Sequence, residues 1–160
     1  MTVAEPWTPE LGGSVLVDTN VLLAATTPSR TLHRIARSVL DEWPIRGARL
    51  CTCGQVLREY LVVSTRPIEV NGLGLSAELA LENVRELGDR MLFLAEDHQV
   101  ARRLRALVAK HDLHGKSIHD ANLAAVAAVH GVDRIVTADA SVFGLTLPDL
   151  EIFGLPGTTP

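Results

Sequence analysis

Four carboxylates sit in short motifs that recur along the chain in the order Val15-Leu16-Val17-Asp18-Thr19-Asn20, Leu57-Arg58-Glu59-Tyr60-Leu61, Ile118-His119-Asp120-Ala121-Asn122 and Ile135-Val136-Thr137-Ala138-Asp139. Acids placed beside apolar runs are either carried to a common edge of a buried sheet, where several negative charges can hold a divalent cation, or serve singly as caps and turns. Taken one at a time, each has the plainer explanation: Asp18 and Asp139 as turn residues, Glu59 as a helix-surface charge, Asp120 as a first-turn residue favoured by the helix dipole. In combination they favour a shared pocket. Asp18 and Asp139 both end apolar strand-like runs, Asp120 opens a helical stretch, and Glu59 follows a strand candidate closely enough to reach the same edge. Like charges gathered there raise one another's pKa unless a cation neutralises them. Mg²⁺ or Mn²⁺ is the hard, oxygen-liganded ion that does so, and it retains waters that can become nucleophiles. The chemistry that follows is that of a metal-dependent enzyme.

The elements that must position these acids can be read from periodicity and punctuation. Ser14 to Val17 reads as a buried strand, followed by a turn and a helix start from Val21. Leu32, Ile35, Ala36, Val39 and Leu40 recur at helical spacing between Thr31 and Trp43, with Arg30, Arg34 and Arg37 off that stripe and Pro44 closing the segment. Arg49 to Cys53 is a second strand candidate, and Val56, Leu57, Tyr60 and Leu61 mark a helix face that ends at Arg66-Pro67. Asn71 to Leu75 is a loop, with Ser76 the N-cap of a helix to about Leu87. Met91 to Leu94 is a third strand, Val100 to His111 an amphipathic helix with a partly basic surface, and Ser117 to Val129 an alanine-rich helix closed by His130-Gly131. Arg134 to Thr137 makes a fourth strand and Glu151 to Phe153 a fifth. Strands alternating with helices predict an α/β fold, a parallel sheet of four to five strands covered on both faces, with active residues at the carboxyl edge.

Composition bounds the remaining classes. The chain has 160 residues, 47% of them hydrophobic, which suits one domain with a sizeable core and excludes intrinsic disorder. No apolar run reaches the length of a membrane span and Met1 to Gly13 has no signal-peptide pattern, so the chain reads as a soluble cytoplasmic protein. A net charge of −4 argues against nonspecific coating of nucleic acid, while leaving room for a basic rim beside an acidic pocket. Cys51 and Cys53 read as small core residues on one strand face; a zinc site would need two further ligands at suitable spacing, and a disulfide does not suit the compartment.

In this order and spacing, Val17-Asp18-Thr19-Asn20-Val21-Leu22, Glu59-Tyr60, Asp120-Ala121-Asn122-Leu123-Ala124-Ala125 and Val136-Thr137-Ala138-Asp139 resemble the PIN domain, and Ser64-Thr65-Arg66-Pro67 resembles its VapC toxin branch. The resemblance covers residues 14–153 as a single PIN-like three-layer α/β/α domain, leaving an N-terminal extension over 1–13 and a frayed C-terminal tail over 154–160. It implies a Mg²⁺- or Mn²⁺-dependent endoribonuclease in which Asp18, Glu59, Asp120 and Asp139 bind metal directly or through water and Asn20 and Thr137 stand behind them. It implies in-line attack of water on an RNA phosphodiester, with no covalent nucleophile. It further implies a homodimer and a cognate VapB-like antitoxin whose tail covers the acidic pocket; the helical segments from Thr31 to Trp43 and Ser76 to Leu87 are the candidates for the dimer contact, and their apolar surfaces equally suit intramolecular core. The chain departs from the family pattern in one place: a further Asp often stands two positions after the fourth acid, whereas here Ser141-Val142-Phe143 follows. The fourth corner therefore rests on Asp139 alone, which bears on a second metal position more than on the first.

The competing readings within the resemblance are a housekeeping PIN nuclease that processes RNA and a PIN-like protein-binding domain without metal affinity. Retention of all four acids tells against the latter. Haloacid-dehalogenase phosphatases and receiver domains need paired acids that are absent after Asp18. His119 reads as a surface or structural residue at a helix start that could alternatively serve as an acid or a substrate contact, and Arg30, Arg34, Arg37, Arg58 and Arg66 as solvated positions that could also grip phosphate.

Overall fold

The computed structural model describes residues 12–157. Residues 1–11 of the expected N-terminal extension and 158–160 of the expected tail lie outside them. The strands are β1 (Gly13–Val17), β2 (Ala48–Cys53), β3 (Leu92–Leu94), β4 (Arg134–Thr137) and β5 (Glu151–Gly154), and the helices are α1 (Thr19–Thr26), α2 (His33–Asp41), α3 (Gly54–Thr65), α4 (Ala77–Asp89), α5 (His98–His111) and α6 (Ser117–Val129). All four strand pairings are parallel, in the order β3-β2-β1-β4-β5. This is the α/β architecture expected from the alternation of elements, with all five strands present.

The strand order explains where the acids meet. From β1 the chain builds outward through β2 to β3, then returns across the sheet to add β4 and β5 on the other side of β1. The reversal between β1 and β4 leaves a crevice at their carboxyl ends, the place where open α/β sheets bind ligands. Leu16 pairs with Ile135 and Val17 with Val136, so the residues that follow, Asp18 and Thr137, become neighbours. Asp18 N–H continues the ladder by donating to Val136 O at 2.9 Å.

Val15, Leu16 and Val17 are fully buried, as a central parallel strand covered on both faces requires. α1 and α6 are apolar almost all round and are correspondingly core helices, with Val21, Leu22, Ala121, Ala125 and Val126 inaccessible. Tyr60 on α3 is the largest fully buried side chain, its hydroxyl satisfied by Thr26 Oγ1 at 2.8 Å and Asn83 Nδ2 at 3.0 Å. Cys51 and Cys53 are free and buried in β2, as core residues. Gly131 follows α6 with φ +68°, the left-handed cap conformation for which glycine carries no Cβ penalty.

The local structure departs from the sequence expectation at several points besides small shifts of element ends. No turn separates β1 from α1: Asp18 is itself the N-cap, and Thr19 is already helical. The 3₁₀ segments Ile68–Val70 and Ala140–Val142 were not legible as elements, being single turns without a periodic stripe. The chain is also ordered beyond Phe153, where a frayed tail was expected: Gly154 belongs to β5, and Leu155 is buried with its N–H donated to Thr137 O at 3.0 Å. Among the described residues no helix is long and apolar enough to cross a membrane.

Candidate metal centre

Asp18, Glu59, Asp120 and Asp139 come from four different parts of the chain and line one cavity of about 420 Å³ together with Thr19, Asn20, Gln55, Lys116, His119 and Thr137. Asp18 arrives at the end of β1, Glu59 from the second turn of α3, Asp120 from the first turn of α6, and Asp139 just beyond β4. All four acids selected by sequence are thus brought to one edge of the sheet, and so are Asn20 and Thr137.

Each carboxylate is held by the chain around it. Asp18 Oδ1 accepts from Thr19 N–H at 2.7 Å and Oδ2 from Thr137 Oγ1 at 2.8 Å. Asn20 locks the same corner, its Nδ2 donating to Thr137 Oγ1 at 3.0 Å and its Oδ1 accepting from Ala138 N–H at 2.8 Å. Glu59 Oε2 accepts from Thr19 Oγ1 at 3.1 Å, while Oε1 accepts from Gln55 Nε2 at 3.1 Å and lies 3.2 Å from His119 Nδ1. Asp120 Oδ2 is taken by Gly144 N–H at 2.7 Å. Asp139 Oδ1 is taken by Ser141 twice, by N–H at 2.9 Å and Oγ at 2.6 Å.

These environments set the charges apart. Burial pushes Asp18 up to about 6 against the lowering pull of its Thr137 and Thr19 hydrogen bonds, and the nearby Asp120 and Glu59 add to the rise. Burial also raises Asp120, opposed by the Gly144 amide and by Lys116. Asp139 lies at the rim and is lowered, because Ser141 hydrogen-bonds its ionised form. The centre is therefore an all-oxygen cluster whose inner members are short of counter-charge. That donor set fits a hard divalent cation such as Mg²⁺ or Mn²⁺ and not zinc, which prefers nitrogen and sulfur. Among the described residues, no three His, Cys, Asp or Glu side chains are closed into a ready ligand set; the carboxylates face one cavity, each anchored to its own wall.

Several residues at the site carried no role in the sequence reading. Gln55 is buried and joins α3 to α6: Nε2 reaches Glu59 and, at 3.2 Å, His119 O, while Oε1 accepts from Asn122 Nδ2 at 2.7 Å. Glu96, a fifth acid at the same sheet edge, takes Gln55 N–H at 2.6 Å and Asn122 Nδ2 at 3.3 Å, which places it at the N-terminus of α3 as a stabilising anion. His119 and Lys116 line the cavity itself. The spacing of Gln55 and Glu59, four apart on a helix, was the available signal for the first. The roles of Glu96 and Lys116 depend on tertiary approach and had none.

Comparison with known proteins agrees with this geometry. The PIN-domain family model matches residues 15–143. No curated protein matches the sequence. Solved structures with the same fold include a chain of VapBC2 from Rickettsia felis bound to a promoter DNA fragment, with 14% identity and a TM-score of 0.63 over 88% of this chain and 98% of that one. They also include Mycobacterium tuberculosis VapC20, described as a Sarcin-Ricin loop cleaving toxin, with 18% identity and a TM-score of 0.61 over 82% of this chain and 96% of that one. A third is a chain of DNA-bound VapBC from Salmonella typhimurium, with 22% identity and a TM-score of 0.61 over 91% of this chain and 98% of that one. At these identities the likeness is one of fold, but the family model spans all four acidic motifs, and the chain belongs to the PIN-domain family.

Proposed function

We propose that this protein is a Mg²⁺- or Mn²⁺-dependent endoribonuclease that hydrolyses RNA phosphodiester bonds, and that it is the toxin of a VapBC-type toxin–antitoxin pair. The observation that carries the first part is the meeting of Asp18, Glu59, Asp120 and Asp139 on one cavity at the β1/β4 crevice. Membership in the PIN-domain family supports a nuclease, and the likeness to chains from VapBC complexes supports a toxin with a VapB-like partner. A homodimer acting in the cytoplasm belongs to the same reading.

Asp18, Glu59, Asp120 and Asp139 would hold the ion, directly or through water. When bound, such an ion neutralises the carboxylates, orients water and offsets charge on the phosphate oxygens. The chain's own residues prepare for this. Thr137 and Asn20 hold the inner Asp18 at a fixed orientation, Gln55 and Thr19 do the same for Glu59, and the Gly144 amide does so for Asp120. Lys116 sets a cation on the wall beside Asp120, where it can meet a phosphate oxygen of the substrate.

The test is cleavage of total cellular RNA by the purified protein with Mg²⁺ or Mn²⁺. Cleavage is expected to disappear with EDTA and in Asp18→Asn and Asp120→Asn, and to be suppressed by the product of an adjacent small reading frame. A folded, metal-supplied, partner-free protein that cuts no RNA would contradict the proposal. Cleavage that an adjacent antitoxin does not suppress would leave a PIN nuclease of the RNA-processing kind.

A further inference from the structure

A second hollow of about 350 Å³ adjoins the acidic cavity and is lined by Asn20, Ser29, Arg30, Thr31, Leu32 and Ala138. Asn20 belongs to both walls, and Ala138 lies between Thr137 and Asp139 of the first cavity. The divider is fixed, because Asn20 Oδ1 accepts from Ala138 N–H and Asn20 Nδ2 donates to Thr137. Ser29, Arg30 and Thr31 lie in the connection from α1 to α2, held as consecutive turns by Arg30 N–H to Thr27 O and His33 N–H to Arg30 O, both 3.0 Å. Arg37, Arg46, Arg90 and Arg134 spend their guanidinium groups on Asp41, Glu42, Asp41 and Asp133. Arg30 is exposed and enters no ion pair among the described residues.

A polyanion approaching four carboxylates needs positive charge on either side of them. Lys116 supplies it in the first cavity and Arg30 in the second, on the far side of the shared Asn20 wall. A volume of about 350 Å³ falls within the range of roughly 300–1,000 Å³ of pockets that hold small-molecule groups. Guanidinium is the side chain best matched to a phosphate by paired hydrogen bonds, and Ser29 and Thr31 add hydroxyls beside it.

We propose that this hollow is a subsite for the nucleotide adjoining the scissile phosphate of a single-stranded RNA, with Arg30 gripping the flanking phosphate. The inference rests on the nuclease reading and adds a path to it: the strand crosses the centre from Lys116 to Arg30. The site selects for RNA that can enter as a single strand, since the flanking nucleotide must leave its stack to occupy the hollow.

The test uses the full chain carrying Asp120→Asn to block cleavage, with Mg²⁺ present, and a short fluorescein-labelled mixed-sequence RNA followed by anisotropy over a salt series. Arg30→Ala is expected to weaken binding about 5- to 10-fold and to flatten the slope of log affinity against log salt by about 0.7, the value of one single-strand phosphate contact. Arg30→Lys is expected to keep the slope and lose part of the affinity. Arg103→Ala, at a separate cavity beside α5, is the control and should change neither. Unchanged affinity and slope in a folded Arg30→Ala protein would overturn the subsite and leave the nuclease reading intact, and loss of antitoxin binding alone would assign Arg30 to the protein partner instead. A parent protein that neither binds this RNA nor cleaves any would overturn both.

Discussion

Gln55 Nε2 donates to Glu59 Oε1 at 3.1 Å, one turn along α3, and so fixes the orientation of the carboxylate that faces Asp18 and Asp120 across the cavity. The amide is itself held by Asn122, so the order of the centre is passed from α6 to α3. Gln55→Ala removes the donor to Glu59 and leaves Asn122 Nδ2 with its longer 3.3 Å bond to Glu96. Loss of a supporting partner of this kind lowers metal affinity or turnover about 10- to 100-fold. Isothermal titration with Mn²⁺ should show weaker binding in Gln55→Ala while the far-UV spectrum is retained; unaltered affinity would mean that Glu59 needs no such support.

Asp18 makes stability depend on pH in a direction opposite to that of most acids. Its carboxyl rises from 3.8 to about 6 on folding, so between those values the folded protein holds a proton that the unfolded chain releases. Its favourable contribution is complete below pH 3.8 and is lost as pH rises through 6. Without a divalent ion, the shift corresponds to a cost on the order of 3 kcal/mol at neutral pH. Asp18→Asn is therefore expected to raise the Tm at pH 7.5 in EDTA, with the gain roughly halved near pH 5. Mg²⁺ should stabilise the parent at pH 7.5 and do little for Asp18→Asn. A Tm difference that is the same at both pH values would rule out this account of the centre.

What could be read from the sequence, and what could not, follows from the range of the interactions involved. Asp18, Asp120 and Asp139 were legible because strand ends and helix starts leave local marks: an apolar run that stops, an acid in a first turn, a turn residue beyond a strand. Parallel pairing of β1 with β4 then brings the outer two together by topology alone. Gln55 looked like any polar residue on α3, and only its approach to Asn122, 67 positions away, shows its role. Lys116 likewise left no local mark of its place beside the acids, and Arg30 was legible as a solvated charge and not as part of a hollow adjoining them. For His119 the sequence leaves a surface or structural role and an acid or substrate contact as alternatives, and only the fold shows that its ring lies at the cavity, 3.2 Å from Glu59. The burial of Leu155 escaped the reading because a Gly/Pro/Thr-rich ending has no periodicity, while its place is set by the edge of β4.

Gly144 controls Asp120 through its backbone. A Cβ at this position would come within 2.6 Å of Ser117 Cβ and 3.1 Å of Asp120 Oδ2, so the segment after the 3₁₀ turn would have to move away from α6. That movement would break the 2.7 Å bond from Gly144 N–H to Asp120. Gly144→Ala is expected to cost about 1–3 kcal/mol of stability from overpacking and to lower cleavage at least 10-fold. Urea denaturation and cleavage rates measured side by side would check both. Wild-type turnover in Gly144→Ala would show that Asp120 does not depend on this amide.

Asp139 differs from Asp18 and Asp120 in that its carboxyl is lowered and not raised, being tied to Ser141 by two hydrogen bonds to one oxygen. Its pull on a cation is therefore shared with the local turn, and Asp139→Asn should reduce Mn²⁺ affinity less than Asp18→Asn does. Ser141 occupies the position where the family often has a further acid, and Ser141→Asp would set a second carboxylate beside Asp139. Two adjacent carboxylates make a stronger oxygen donor set than one, so the added charge should recruit a cation. Calorimetric titration of Ser141→Asp with Mn²⁺ is expected to show a higher stoichiometry than the parent protein, and activity should then respond more steeply to metal concentration. Identical stoichiometry in the two proteins would place Ser141 outside the metal centre and confine its role to holding Asp139 in its turn.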